Sequence, residues 1–438
     1  MRPLALLLSL LMLCACNGIG LGVNELLSPP RLTTEQAAIY DAIALAVGTD
    51  AYKLKYPRRG DNLSACVFDD LNKDGKDEAI VFYELTVNGV TSSWMSILFE
   101  QDGVWKSRHQ LPGEGGEIDF IAFSPIENAA RDNIIVGWSV AGQDNLICKV
   151  YTYADEGVSV SYEGSYNEIL IYDVDGNGLN ELILCTKNLT KPALMSLIKY
   201  RSGRIVRTSE VNMPTAMTDY AKLTCGRLTS GLVAIFADIY LGPDEMTTKI
   251  AAVDDRTAII EALTSEDLGI YESFDRVTPT LTCADVNNDG LIDIPVSYLL
   301  PGYSSSVERE AVYRTDYMSV IGGELKTVQR SVVNFAAGYQ LRLPESWKDT
   351  VTVRRQSETG EWRFVLFDRT LEQSDQELLR IRVTSPSDYQ DKFETAEYRQ
   401  VATKGVNTYQ IYIPPTEQTG YAITYEQASR LFSLLDMQ

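Results

Sequence analysis

Histidine is nearly absent from this sequence, since His109 is the only one among 438 residues. A zinc site built mainly from histidine is therefore excluded, and any Ser-His-Asp triad would have to use His109. The alternating pattern of 105–110 predicts a β-strand in which His109 faces solvent. The sequence also lacks the Gly-x-Ser-x-Gly and Gly-x-x-x-x-Gly-Lys-(Ser/Thr) motifs. The sequence therefore does not indicate a hydrolase with a serine nucleophile or an enzyme with a phosphate-binding loop.

Basic residues are scarce as well. The chain has 39 Lys and Arg against 60 Asp and Glu, which gives a formal net charge of −21. This excess argues against nucleic acid as a partner, because the phosphate backbone is itself anionic. Long apolar runs are missing after the first twenty residues, so no later stretch is a candidate transmembrane helix. Hydrophobic residues nevertheless make up 45% of the chain, which indicates a folded protein of two or three domains.

The N-terminus has the pattern of an export signal. Arg2 supplies a positive start, and Leu4 to Leu13 is an apolar run too short to span a bilayer. The run ends in Leu13-Cys14-Ala15-Cys16, which resembles the bacterial lipobox, whose cysteine becomes the lipidated first residue. The resemblance implies a signal peptide at 1–15 and a lipid on Cys16 that holds the protein to the extracytoplasmic face of the cell membrane. A secretory signal without lipid is the alternative.

Cysteines beyond Cys16 are few and odd in number: Cys66, Cys148, Cys185, Cys225 and Cys283. Five cannot all pair, and most lie in apolar β-type runs. We expect most of them to be small buried hydrophobic side chains. One oxidised pair stays open in an extracytoplasmic setting.

One acidic pattern occurs three times in the same register. It has the form Asp-x-(Asp/Asn)-x-(Asp/Asn)-Gly-x-x-(Asp/Glu) followed by an apolar run, and we name its copies the first (70–78), second (173–181) and third (285–293) acidic loops. Apolar strands around a two-residue turn follow each loop and predict a β-hairpin. The turns are Asp102-Gly103, Ser202-Gly203 and Gly322-Gly323, and we match Met95-Ser96, Met195-Ser196 and Met318-Ser319 before them.

Two degenerate copies fill the gaps between the acidic loops. One lies near Ser124, before Asn133, and the other has Arg227 where the first acid should be. Together the five units recur about every fifty residues, a period typical of repeat proteins. Acidic loops between β-strands at this period resemble the FG-GAP/VCBS repeats of calcium-binding β-propellers.

The resemblance implies a mainly β protein. We expect a lipid-anchored linker with a short helix at 16–48, and then a β-propeller-like repeat domain at 49–336. Five units are identifiable in that domain, and its ring would close with five to seven blades. The period stops after residue 336, and a small α+β domain is expected at 337–438. Thr33–Gln36 and Thr424–Gln427 are capping boxes that predict helices, the second with Phe432 and Leu435 on its apolar face. Ser385-Pro386 predicts the start of another helix.

Calcium is the ion that such loops would bind, because it prefers six to eight oxygen ligands. An EF-hand is excluded, since its twelfth position is Val81, Leu184 or Val296 in a predicted strand. Good turn formation by Asp, Asn and Gly is the alternative explanation of the loops. The expected side-chain ligands are Asp70, Asn72, Asp74 and Glu78; Asp173, Asp175, Asn177 and Glu181; and Asp285, Asn287, Asp289 and Asp293. The backbone carbonyls of Lys76, Leu179 and Leu291 would complete the three sets.

The sequence as a whole favours a non-enzymatic binding or scaffolding protein. Its partners would be the membrane, through the N-terminal lipid, and an extracytoplasmic protein or glycan that the sequence does not identify. Two alternatives stay open. One is a carbohydrate-active enzyme that uses paired carboxylates, and the other is a lipoprotein of envelope assembly or sensing.

Overall fold

The computed structural model describes residues 33–48, 52–154, 157–187, 192–254, 259–263, 274–276, 281–304, 311–388, 397–415 and 420–435. These residues fall into two compact units. Unit 1 holds the described residues up to Asp70 together with Asp74–Glu117, and unit 2 holds Leu71–Lys73 and everything from Ile118 onward. Residues 1–32, which include Cys16, the predicted signal and the first part of the predicted linker, lie outside the described residues. Within those residues no helix is long and apolar enough to cross a membrane.

Unit 1 opens with helix α1, Thr34–Val47. The predicted capping box is confirmed, because the Thr33 hydroxyl accepts a hydrogen bond from the Gln36 amide and the Gln36 side chain accepts one from the Thr33 amide. The helix ends at Gly48 in the left-handed conformation. Ile39 and Ile43 of α1 are fully buried against the first β-sheet.

Six antiparallel sheets account for nearly all the rest of the described chain, which confirms a mainly β fold; none of the six closes on itself. Sheets 1 and 2 contain β1 Tyr52–Leu54, β2 Cys66–Asp69, β3 Glu78–Val87, β4 Val90–Gln101 and β5 Val104–Pro112; and β6 Glu117–Asn128, β7 Arg131–Ser139, β8 Leu146–Ala154 and β9 Gly157–Tyr166. Sheets 3 and 4 contain β10 Glu168–Tyr172, β11 Glu181–Thr186, β12 Leu194–Arg201 and β13 Arg204–Asn212; and β14 Asp219–Arg227, β15 Val233–Tyr240, β16 Met246–Asp254 and β17 Ile259–Leu263.

The last two sheets interleave along the chain. Sheet 5 contains β18 Asp293–Leu299, β19 Tyr313–Ile321, β20 Glu324–Asn334 and β21 Tyr339–Arg342. Sheet 6 contains β22 Val351–Arg355, β23 Trp362–Leu366, β24 Glu377–Thr384, β25 Arg399–Lys404 and β26 Asn407–Tyr412, in the order β22-β23-β24-β26-β25. The chain then forms helix α2, Tyr425–Leu431, and returns to sheet 5 as β27, Phe432–Leu434, beside β21.

The three predicted hairpin turns are confirmed. Each joins two strands with two residues of positive φ, as the right-handed twist of a hairpin favours. Asp102 and Gly103, for example, have φ of 55° and 76° between β4 and β5. A β-bulge recurs at the same place in sheets 1, 3 and 5. It lies in β4, β12 or β19, just before the residue that pairs with the first residue after the last acid; these residues are Leu98, Ile198 and Met318. The repeat is thus preserved down to its irregularities.

Apolar clusters in unit 2 lie between consecutive sheets. In β11 the alternate residues Leu182 and Leu184 pack toward sheet 2, whereas Ile183 and Cys185 pack toward sheet 4. Further clusters join sheet 4 to sheet 5 and sheet 5 to sheet 6. A strand covered on both faces has no polar side, which explains the continuous apolar runs that follow the acidic loops.

The segment after residue 336 is mostly β in its described part. Its strands β22 and β23 form an antiparallel hairpin across Thr359-Gly360. The capping box of Thr424 and Gln427 is also confirmed, but the prediction that Phe432 and Leu435 continue the helix is wrong. Phe432 pairs with Leu341 instead, because its side chain is buried in the cluster between sheets 5 and 6. The helix predicted from Ser385 falls mainly on 389–396, outside the described residues. The division at 336/337 stays a prediction.

The five cysteines beyond Cys16 are free in the structure, and all except Cys225 are buried. The prediction of small buried side chains is confirmed for these four. Burial raises the pKa of the Cys66 and Cys148 thiols to about 12, which keeps them protonated at neutral pH.

Candidate functional site: the acidic loops

The three acidic loops occupy the same place in their sheets. The first and second loops follow a strand, the third follows the isolated bridge residue Ala284, and each loop ends at the first residue of the next strand, which is its last acid. The residue before the first acid pairs with that last acid, as Asp69↔Glu78, Tyr172↔Glu181 and Ala284↔Asp293. A loop that begins and ends on paired positions is closed by the ladder itself.

The first acid of each loop accepts backbone amides from the turn. In the third loop, Asp285 Oδ1 accepts from the Asp289 amide at 3.1 Å and Oδ2 accepts from the Gly290 amide at 2.9 Å. In the first loop, Asp70 accepts from Asp74 and Gly75 at 3.0 and 2.9 Å. The second loop repeats the scheme, with bonds to Asp173 from the amides of Gly176, Asn177 and Gly178.

The fifth side chain of each loop supports the turn in the same way. Asp74, Asn177 and Asp289 each accept the amide two residues later, at 2.9, 2.7 and 2.8 Å. Those amides belong to Lys76, Leu179 and Leu291, so the residues predicted as carbonyl ligands lie inside the loop turn. The intervening glycines have φ between 83° and 89°, where a side chain would be strained.

The last acids are buried although they are charged groups. Glu78, Glu181 and Asp293 are 3%, 1% and 0% exposed. Glu181 accepts the Val174 amide and Asp293 the Val286 amide, each at 3.0 Å, yet burial raises the pKa of the Glu181 carboxyl to about 7 and raises that of Asp293. A buried carboxylate needs a compensating cation or proton. Each loop therefore ends in a group that a bound cation would stabilise.

The second loop brings its carboxylates closest together. Oxygen atoms of Asp173, Asp175 and Glu181 all lie within 4.8 Å of one another, and no other group of three acidic, His or Cys side chains in the described part of the chain does so. Lys199, on β12, places its ammonium against Asp175 and 3.4 Å from Glu181 Oε1. The sequence pattern of the acidic loops does not include this lysine.

The third loop has a neutral partner at the corresponding position. Ser319 on β19 pairs with Asp293 in the strand ladder, and its hydroxyl donates to the Asp293 carboxylate. The sequence match of Met318-Ser319 with Met195-Ser196 is therefore wrong by three residues. Ser196 lies opposite Leu184, three residues after the last acid, whereas Ser319 lies opposite the last acid itself.

The degenerate units replace the buried acid with uncharged groups. In sheet 2, Asn133 accepts hydrogen bonds from the amides of Ile126 and Glu127 and donates one to the Thr152 hydroxyl. Asn133 thus takes the place of the last acid, and Thr152 takes the place of the residue opposite it. In sheet 4, the pairing Gly226↔Ala234 puts Ala234 where the last acid would stand. Arg227 takes the place of the first acid, as the sequence predicts, and donates to the Gly231 carbonyl at 3.2 Å.

His109 lies in β5, as its alternating pattern predicts, but it is half-buried, so the prediction that it faces solvent is wrong. Burial lowers the pKa of its imidazole, with a smaller contribution from Arg108. The ring contacts Phe99 edge-on, with ring centroids 6.3 Å apart. These contacts are those of a strand residue packed within its sheet.

Comparisons with known proteins do not show a family. No family model matches the chain, and no curated protein matches it. Among solved structures, a protein from Lactobacillus plantarum is 10% identical over 72% of this chain and 94% of its own, with a TM-score of 0.33. A 6-phosphogluconolactonase-like protein from Bacteroides uniformis is 11% identical over 72% and 96%, with a TM-score of 0.30. The exotype rhamnogalacturonan lyase YesX is 9% identical over 74% and 82%, with a TM-score of 0.32. Likenesses this distant carry no argument about function.

Proposed function

We propose that this chain is a lipid-anchored extracytoplasmic protein whose acidic loops bind calcium as a structural ion, and that it acts as a non-enzymatic binding or scaffolding module. Its sheets 1 to 5 would form the blades of a β-propeller. Cys16 would carry the lipid and hold the module at the membrane surface. The ligand would be a protein or a glycan outside the cytoplasmic membrane.

The observation that carries the calcium proposal is the common geometry of the three loops. Each presents carboxylate and amide oxygens around a turn that backbone amides hold in place, and each ends in a buried acid. An all-oxygen donor set of this kind suits calcium and offers no soft ligand that would favour zinc. Turn formation alone would not require the last acid to be buried, because an exposed acid would serve the turn equally well.

The role of the ion would be stability rather than chemistry. Extracellular calcium modules have dissociation constants of about 10⁻⁴ to 10⁻³ M. At about 1 mM calcium and a dissociation constant of about 10⁻⁴ M, mass action contributes roughly 1.4 kcal/mol for each site. That is a sizeable fraction of the ~5–15 kcal/mol by which a domain is stable.

Equilibrium dialysis against calcium, with differential scanning calorimetry in calcium and in chelator, tests the proposal. We expect calcium uptake by the purified protein and a lower melting temperature in chelator. A glycan panel tests the competing enzymatic hypothesis, and we expect no turnover. Absence of calcium uptake together with unchanged melting would refute the calcium proposal, and glycan cleavage would refute the non-enzymatic one.

A further inference from the structure

The position of Lys199 is set by the strand ladder. Leu182 of β11 pairs with Ile198 of β12, so the next pair outward along the ladder places Lys199 opposite Glu181. The β-bulge between Leu197 and Ile198 falls just before it in the pairing with β13. The lysine therefore enters the second acidic loop from the neighbouring strand, and its reach is fixed by the sheet.

The ammonium group lies among the carboxylates. It contacts Asp175 and is 3.4 Å from Glu181, and the side chains of Lys199, Asp175 and Glu181 are only 14%, 11% and 1% exposed. Three carboxylates within 4.8 Å repel one another unless a cation is present, and partial burial strengthens that repulsion. An ammonium offers three donors and one positive charge, which is the role that a metal ion would otherwise fill.

The other acidic loops have no lysine at this ladder position. In the third loop it is Ser319, which carries no charge, and in the first loop the pairing of Ala79 with Leu98 puts Phe99 opposite Glu78. A second cation also approaches the second loop, since Arg227 Nη2 lies 3.5 Å from the point where a Cβ on Gly176 would be. The second loop, whose carboxylates converge, thus has the basic side chains of Lys199 and Arg227 beside it.

We infer that the Lys199 ammonium is the built-in cation of the second acidic loop, so that calcium binds at the first and third loops but not at 173–181. The inference rests on the proposed calcium function and changes its expected stoichiometry from three ions to two. In this arrangement the second loop is stable at any calcium concentration. The first and third loops respond to the concentration of the ion.

Calcium stoichiometry of the purified protein and of Lys199→Met tests the inference. Methionine keeps most of the aliphatic length and removes the charge. We expect two ions bound to the wild type and three to Lys199→Met. The variant should melt lower than the wild type in chelator, and calcium should restore most of the difference. Lys249→Met is the matched control, because this lysine is exposed on β16 outside the acidic loops, and it should leave the number of bound ions at two.

The double variant Lys199→Met/Asp175→Asn covers the case in which the single variant does not fold without calcium. Removing one acid with the lysine relieves the repulsion, so it should melt in chelator closer to the wild type than Lys199→Met does. Three ions on the wild type, with one lost in Asp173→Asn, would overturn the inference and leave the calcium function standing. No calcium on the wild type would refute the calcium function. In that case both proteins are compared in chelator, and equal melting temperatures of Lys199→Met and the wild type would also overturn the role of Lys199 as a built-in cation.

Discussion

Asp285→Asn at the third acidic loop should lower the free energy of unfolding in two ways that can be measured separately. Asp285 accepts two backbone amides through its two oxygens, from Asp289 and Gly290. Asparagine keeps only one acceptor oxygen, so one of these charge-assisted bonds is lost. Because the side chain is half-exposed, we take the cost as about 1 kcal/mol, the magnitude of a lost helix N-cap. This part does not depend on calcium.

The second part is the loss of a calcium ligand. At about 1 mM calcium an occupied site contributes roughly 1.4 kcal/mol, as worked above. We therefore expect a total destabilisation of about 2–3 kcal/mol in calcium against about 1 kcal/mol in chelator. Scanning calorimetry under both conditions measures the difference, with the exposed Asp244→Asn as a control for the loss of one negative charge. An equal loss in calcium and in chelator would refute the reasoning and favour simple turn formation.

Three further outcomes are expected. Cys16→Ala should release the protein from the membrane fraction or leave it as precursor, since stable anchoring needs the acyl chains. A mass spectrum that shows a free, unmodified N-terminus on the wild type would contradict this. Arg276→Met should cost about 3–5 kcal/mol, because it leaves the fully buried Asp238, now 2.5 Å from the guanidinium, without its cation; Arg276→Met/Asp238→Asn should recover part of that loss in urea unfolding. Leu341→Ala should cost about 2–5 kcal/mol, because this side chain is fully buried between sheets 5 and 6; a change below 1 kcal/mol would contradict the packing described.

Local features were predictable because their causes are local. A capping box needs only two residues three apart, and both Thr33–Gln36 and Thr424–Gln427 form as predicted. The two-residue turns depend on residues that tolerate positive φ, and the strand runs depend on period and composition. The first and fifth side chains of each acidic loop bond to amides within five residues. Chain proximity therefore accounts for these hydrogen bonds within the loop turn.

What the sequence did not contain was the pairing across strands. Lys199 is eighteen residues beyond Glu181 in the chain, and only the ladder of β11 and β12 brings the two side chains together. The same register shows that Ser319 corresponds to Lys199 rather than to Ser196, because matching letters do not count the residues along a strand.

Burial decided the remaining differences. Phe432 satisfies an apolar helix pattern as well as a strand, and it lies in a strand beside β21, where its side chain is buried in the cluster between sheets 5 and 6. Residues 173–181 by themselves determined an oxygen-rich turn. Only the tertiary structure decided that the Lys199 ammonium lies against the carboxylates of this turn, since the lysine comes from a different strand and no residue inside the loop records its presence.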